Sequence, residues 1–313
     1  ALICVSLNGV RKLPGLVMSR CYLSVDLEDF SYNLQHSLGL KNPVSRSYAI
    51  NLSIERILKI LDDAPGSNNI TFFSTGQVAR DNKKIIKHLS DSGHEIGCHN
   101  YYHENIYQTN RVNFAKILDD SIDIISQSSG QPVYGFRAPN FSIKPSNQWA
   151  YEELSKRFLY DSSLVSSVRE YPSSTTELKM FNNNSLIEFP IFSYKLLPGV
   201  NIRVIGGTFL KVLPLKMIIK LMHEAENQGF LPLIYIHPYE LLYDDEFWLS
   251  NRDLVNSPLK ERIYWQIRQN QWLNVGNKGL IRKLSKILEI FPNQGTMVSH
   301  LDMKFKELAT SEK

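Results

Sequence analysis

The sequence predicts an α/β protein built on a parallel sheet or barrel. Three observations carry that expectation. Short buried-strand patterns alternate with amphipathic helix patterns along most of the chain, and such alternation implies crossover connections and parallel pairing. Ionisable residues recur where those strands end, the edge at which α/β folds collect their chemistry. The 313 residues are enough for one large core, and no Pro/Gly/Ser-rich linker or internal repeat divides them.

Tyr22-Leu23-Ser24-Val25-Asp26 alternates apolar and small residues as a buried strand does, then breaks into Leu27-Glu28-Asp29-Phe30. Asp26, Glu28 and Asp29 are costly together unless a metal ion or an Arg sits among them; the alternative is an acidic loop in water. Asn51 is placed to cap a helix with Ile54, Ile57, Leu58 and Leu61 on one face, ending at Pro65-Gly66. Residues 70–75 read as a strand, Gly76 as a turn, and 82–90 as a short amphipathic helix stopped by Gly93. The next strand, 94–98, runs into His99 and His103. Neutral imidazoles at that spacing can reach one ion from a helical turn or tight loop, although the spacing alone fits two solvated histidines as well.

Asn110 opens a long helix, with Phe114, Ile117, Leu118, Ile122 and Ile125 on one stripe and Gly130 at its end. Residues 133–136 form a strand that delivers Arg137-Ala138-Pro139-Asn140-Phe141 to the same edge. Arg137 can hold a carboxylate in a bidentate fork or lie on the surface, and Pro139 fixes the direction of the following amide N–H. A helix over 145–157 leads to a strand ending at Asp161. Residues 186–192 and 201–212 read as extended, with Gly206-Gly207 permitting a close approach. Pro214 starts a helix that stops near Gly229, and the buried strand Leu233-Ile234-Tyr235-Ile236 ends at His237-Pro238-Tyr239-Glu240. A third histidine thus reaches that edge.

Composition excludes several classes. The net charge of +4 carries no Lys/Arg block, which speaks against nucleic-acid binding. No glycine-rich phosphate loop or dinucleotide fingerprint follows a strand, which disfavours phosphoryl transfer and nicotinamide chemistry. Cys4, Cys21 and Cys98 are odd in number and lack CxxC spacing, so a disulfide framework is not expected, and Cys98 reads as a small buried residue. No apolar run approaches the roughly 18 residues of a membrane span. Residues 1–17 read as neither anchor nor signal peptide, so a native start at Met18 and a cytoplasmic location are expected. The expected division is an N-terminal extension over 1–20, a catalytic domain over 21–292 and a tail over 293–313.

The motifs also have a recognisable order. Asp26-Leu27-Glu28-Asp29, Thr71-Phe72-Phe73, Gly93-His94-Glu95-Ile96, His99-xxx-His103, Arg137-Ala138-Pro139 and Ile236-His237-Pro238 together resemble the polysaccharide deacetylase family, or NodB homology domain. The likeness spans about 22–291. With Trp272-Leu273-Asn274-Val275-Gly276 before a basic C-terminal helix, it is similar to the branch associated with bacterial exopolysaccharide and surface-glycan genes.

The resemblance implies a distorted (β/α) barrel that hydrolyses the N-acyl group of an amino sugar. It implies a divalent ion, zinc first, with manganese, cobalt or nickel as alternatives, on His99, His103 and a carboxylate. Asp26 matches the general base, Arg137 the residue that orients it, and His237 the general acid. The Asn140 N–H matches the oxyanion donor, and Asp161 is the looser match for the support of the acid. The family's adjacent pair of aspartates is absent, since Leu27 stands between Asp26 and Glu28. Strand alternation puts Glu28 on the side of Asp26, making Glu28 the expected metal carboxylate and Asp29 its rival. Asn100 replaces the usual Ser or Thr. Tyr101, Tyr102, Phe141 and Tyr239 read equally as a sugar platform or as packing.

The resulting expectation is an N-deacetylase or deformylase acting on a nucleotide- or lipid-linked sugar for O-antigen, capsule or exopolysaccharide. Two alternatives are a metal-independent amidohydrolase of the same fold and a glycan-binding protein without turnover.

Overall fold

Every residue of Tyr22–Leu27 (β1) is buried, as in a sheet covered by helices on one face and filled by side chains on the other. The computed structural model describes residues 19–40, 42–167, 177–181, 184–197, 200–203, 205–243 and 248–301. The expectations for Met18 and Cys4, and for the tail past 301, lie outside those residues. After β1 come α1 (Phe30–Ser37), α2 (Ser47–Asp62), β2 (Thr71–Ser74), α3 (Gly76–Asp81), α4 (Lys83–Asp91), β3 (Glu95–Cys98) and α5 (Arg111–Ser129). The chain continues through β4 (Gly135–Phe136), α6 (Trp149–Leu154), β5 (Tyr160–Asp161), β6 (Val165–Ser167), β7 (Glu177–Phe181), β8 (Asn184–Glu188), β9 (Ile191–Leu197) and β10 (Val200–Ile202). It closes with α7 (Gly207–Val212), α8 (Leu215–Asn227), β11 (Leu233–Ile236), α9 (Leu259–Leu273) and α10 (Asn277–Ile290).

The main sheet runs in the order β11-β1-β2-β3-β4-β5-β8-β7, and only the β7–β8 pair is antiparallel. Seven strands are therefore parallel, giving the curled half-barrel form of the expected (β/α) barrel. A second sheet, β10-β9-β6, flanks it.

Several elements follow the sequence closely. Asn110 caps α5 by accepting from the Asn113 N–H, and Gly130 ends that helix in the left-handed conformation. Two expectations are corrected. Asn51 lies inside α2, which starts at Ser47: Ala49 and Ile50 are buried, so packing begins the helix before its best capping residue, and Asp29 anchors the start by accepting from the Arg46 N–H. Residues 201–212 are not extended throughout. Gly206 lies against the Tyr235 ring, where a Cβ would come 2.0 Å from Cε1, and Gly207 at φ +54° turns the chain into α7.

The segment after Phe291 seals the N-terminal end of the sheet. Asn293 accepts from the Leu23 N–H and donates to the carbonyls of Ser67 and Asn69, while the Val298 N–H donates to buried Glu95. The other end of the sheet stays open.

Candidate active site

Register brings the chemistry to that open end. Ser74, Cys98, Phe136, Asp161 and Glu188 form one row across β2, β3, β4, β5 and β8, so His99, Arg137 and Ser162 leave the sheet side by side. On the other flank Val25 pairs with Ile236, which brings Asp26 level with His237. A cavity of about 950 Å³ opens above them, lined by Asp26, Glu28, His99, His103, Asn140, His237 and Tyr239.

Arg137 lies beneath the cavity, fully buried, and the surface alternative is ruled out. Its fork is divided. Nη1 donates to Asp26 at 2.7 Å and to Ser24 at 2.8 Å, while Nη2 donates to Ser162 Oγ at 2.9 Å. The expected bidentate grip on one carboxylate is thus a grip on a carboxylate and two hydroxyls. Burial by itself would raise the Asp26 pKa, but Arg137, His99 and His237 outweigh it and hold the carboxyl below its ordinary range.

The two rival carboxylates separate cleanly. Asp29 caps α1, accepting from the Tyr32 N–H at 3.0 Å and from the Arg46 N–H, and is committed to the backbone. Glu28 points into the cavity, 3.0 Å from His103 Nε2 and 3.8 Å from His237 Nε2. Asn33 donates to it at 3.0 Å. Burial opposes its ionisation, yet His103 and then His237 and His99 bring its pKa down to about 2.

His99 and His103 come from a loop, not a helical turn. Asn100 and His103 both adopt left-handed backbone, φ 65° and 64°, and Asn100 donates to the Glu104 carbonyl, which ties the loop. His99 Nδ1 lies 2.7 Å from the Arg137 carbonyl, which can only accept, so the proton is on Nδ1 and the lone pair on Nε2. That Nε2 is buried without a hydrogen-bond partner. Burial first of all pushes the ring's pKa down to about 4, so it is neutral at ordinary pH.

His237 faces this group, its Nε2 3.9 Å from Asp26, and its Nδ1 lies 3.3 Å from Glu240. Burial disfavours its charge, but Glu240, Glu28 and Asp26 together raise its pKa to about 9. Tyr239 stacks on the ring at 4.9 Å. Asp161 is not the support expected: Ser163 donates to it at 2.6 Å, beneath the sheet edge and beside Glu188 in register. Glu240 takes that place. Its signal was readable, because a Glu three positions into a turn that starts at His237 is a capping pattern, and Glu240 accepts from the His237 N–H. Asn140 sits on the cavity rim at φ 53° and donates to Asn105. Cys98 is buried, its thiol pushed up to about 12 by burial, and takes no part.

Residues 49–159 match the family model for polysaccharide deacetylase, and residues 162–260 match a second model, a domain of unknown function (DUF3473). Over residues 49–159 the chain is similar to the polysaccharide deacetylase family. It is 34% identical over 131 residues to a peptidoglycan deacetylase-like protein of Gibberella zeae, covering 42% of this chain and 38% of that protein. A peptidoglycan-N-acetylglucosamine deacetylase of Bacillus cereus is 30% identical over 97 residues, covering 30% of this chain and 35% of its own. The chain thus spans well under half the length of either relative. A crystal structure assigned as a Mycobacterium smegmatis polysaccharide deacetylase shares the fold, with a TM-score of 0.51 at 20% identity over 91% of this chain and 96% of that one.

No three His, Cys, Asp or Glu side chains among the described residues converge on one point as they stand, and His103 and Glu28 satisfy each other directly. The donor set nonetheless fits a divalent ion. The buried lone pair of His99 has no other partner, its ring is fixed from behind by a carbonyl as ligating histidines usually are, and an imidazole and a carboxylate lie beside it.

Proposed function

We propose that the chain is a hydrolase that removes an N-acyl group, acetyl first, from an amino sugar of a bacterial surface polysaccharide such as O-antigen, capsule or exopolysaccharide. One observation carries the reading: buried Asp26, gripped by Arg137, faces His237 at 3.9 Å across a cavity that also receives the free lone pair of His99. Those are a base, an acid and an electrophile site in one place.

His99, His103 and Glu28 would hold a divalent ion, zinc first. Bound there, the ion supplies Lewis acidity toward the amide carbonyl and lowers the pKa of water. The chain's own groups divide the proton work. Asp26, kept ionised by Arg137, accepts a proton from the attacking water, and Arg137 keeps that carboxylate oriented. His237, kept protonated by Glu240, donates to the departing amine nitrogen. The Asn140 N–H, on the rim where Pro139 fixes the backbone, donates to the carbonyl oxygen as it gains charge. The names of the peptidoglycan deacetylases that it resembles support an N-acyl sugar as substrate.

The test is acid release from N-acetylated and N-formylated amino-sugar oligomers by metal-loaded protein. Release by the wild type and none by Asp26→Asn is the expected result. Turnover of an amide or ureide without released acetate or formate would move the assignment to an amidohydrolase of another substrate, and binding without turnover would leave a glycan-binding protein.

A further inference from the structure

The cavity extends well past the catalytic groups, and its far wall comes from α9, which the polysaccharide deacetylase model does not reach. A run of rings leads there. Tyr239 stacks on His237 and packs on Phe30 at 5.3 Å, Phe30 packs on Trp272 at 5.4 Å, and Trp265 follows at 6.3 Å. Two arginines line the cavity in separate places, Arg268 at the α9 wall and Arg203 on the Phe141 flank beyond His237. The Arg268 guanidinium lies over Trp272 at 4.1 Å, and the Arg203 guanidinium over Phe141 at 5.0 Å.

The charges on the wall are unevenly satisfied. Asp26 is paired with Arg137, Glu28 with His103 and Glu240 with His237, and Glu104 accepts from the Tyr102 N–H. Neither Arg203 nor Arg268 has an acidic partner among the described residues. Among the described residues Arg268 reaches only the Gln271 side-chain oxygen, and its Nε is buried without an acceptor. A buried guanidinium donor without an acceptor is costly, and the fork geometry of Arg matches carboxylate and phosphate oxygens.

We propose that this cavity takes an acidic glycan, with a sugar neighbouring the N-acyl residue lying against Trp272 and Trp265 and its carboxylate or phosphate held by Arg268. The proposal rests on the deacetylase reading for the position of the N-acyl sugar. Aromatic rings hold a pyranose face without reading its charge, and Arg268 supplies that selection. A neutral homopolymer would leave the Arg268 guanidinium unanswered.

The experiment compares released acetate from three N-acetylglucosamine oligomers of equal length: one alternating with glucuronic acid, one bearing phosphate monoesters, and one neutral. The expected result is a kcat/KM preference of about tenfold or more for one acidic oligomer, the scale of one charge-assisted pair. Whichever of the two is preferred identifies the anion. In Arg268→Gln the preference collapses toward unity, and in Arg268→Lys much of it survives, which separates lost charge from lost folding. Equal turnover of all three, or a preference untouched in Arg268→Gln, overturns the proposal while leaving the deacetylase reading intact. If no oligomer is turned over, calorimetry on the Asp26→Asn protein decides: tighter binding of an acidic oligomer, lost with Arg268→Gln, supports the anion site, and equal or absent binding overturns it.

Discussion

Arg137 and Asp26 form a 2.7 Å ion pair in which neither side chain is open to solvent. Each is the other's compensation for leaving water. Deleting the guanidinium strands a buried carboxylate, so Arg137→Met is expected to cost about 3–5 kcal/mol, read as a lower urea midpoint at unchanged slope. Asp26→Asn keeps an acceptor beside Arg137, which also retains Ser24 and Ser162, and should lose only about 1–3 kcal/mol. Its turnover should fall by a factor of at least about 100, the usual worth of a positioned base. Comparable destabilisation by both changes would show that the pair does not divide the roles in this way.

His103 and Glu28 touch at 3.0 Å, and His99 keeps a free lone pair beside them. Loading with zinc, manganese, cobalt or nickel followed by elemental mass spectrometry should therefore find about one ion per chain, because three such ligands suffice for an open catalytic site. His103→Ala should lose the ion, and a chelator should remove it from the wild type together with acid release. Full stoichiometry in the variant would reassign the ligands.

The sheet and much of this site are legible in the sequence because strand ends and chemistry coincide. Asp26, His99, Arg137 and His237 each follow a buried apolar run, so reading the strands locates the residues. What escaped was long-range. The sequence near Asn51 offers a good cap, but buried Ala49 and Ile50 begin the helix earlier. The extended reading of 201–212 rested on apolar content, whereas the turn at Gly207 depends on how closely Tyr235 packs against Gly206. Asp161 and Glu240 exchanged places because both are carboxylates near a strand end, and only the register of β5 with β8 shows that Asp161 sits beside Glu188 rather than His237. Of the α9 wall only Trp272 stood in a motif, and nothing in the local pattern announced Trp265 or Arg268.

Gly135 offers a test of packing away from the cavity. A Cβ there would lie 2.1 Å from Cζ of Tyr160, whose hydroxyl is tied to buried Glu95 at 2.7 Å, so the ring has nowhere to retreat. Gly135→Ala should destabilise by about 1–3 kcal/mol, or more if the Glu95 bond breaks. Thermal unfolding would show this as a drop of a few degrees. An unchanged midpoint would mean that the ring moves freely after all.

His94 gives the fold a pH dependence of definite sign. It is 4% exposed, its Nδ1 accepts from the Ile70 N–H at 3.2 Å, and it meets Phe72 edge-on. Protonation would destroy that acceptor and bury a charge, and burial chiefly, helped by His88, lowers its pKa to about 4. The unfolded chain, with an ordinary imidazole near 6.5, binds the proton first. Stability from this group is therefore complete above about pH 6.5 and is lost as the pH falls toward about 4, with no further loss below. Across that window the contribution is about 3 kcal/mol, a slope of at most about 1.4 kcal/mol per pH unit. Urea unfolding at a series of pH values should show the wild type losing stability faster than His94→Gln, whose amide oxygen can still accept from Ile70 but cannot titrate. Because the other carboxylates and histidines titrate alike in both proteins, the difference between the two curves isolates His94, and parallel curves would contradict the assignment.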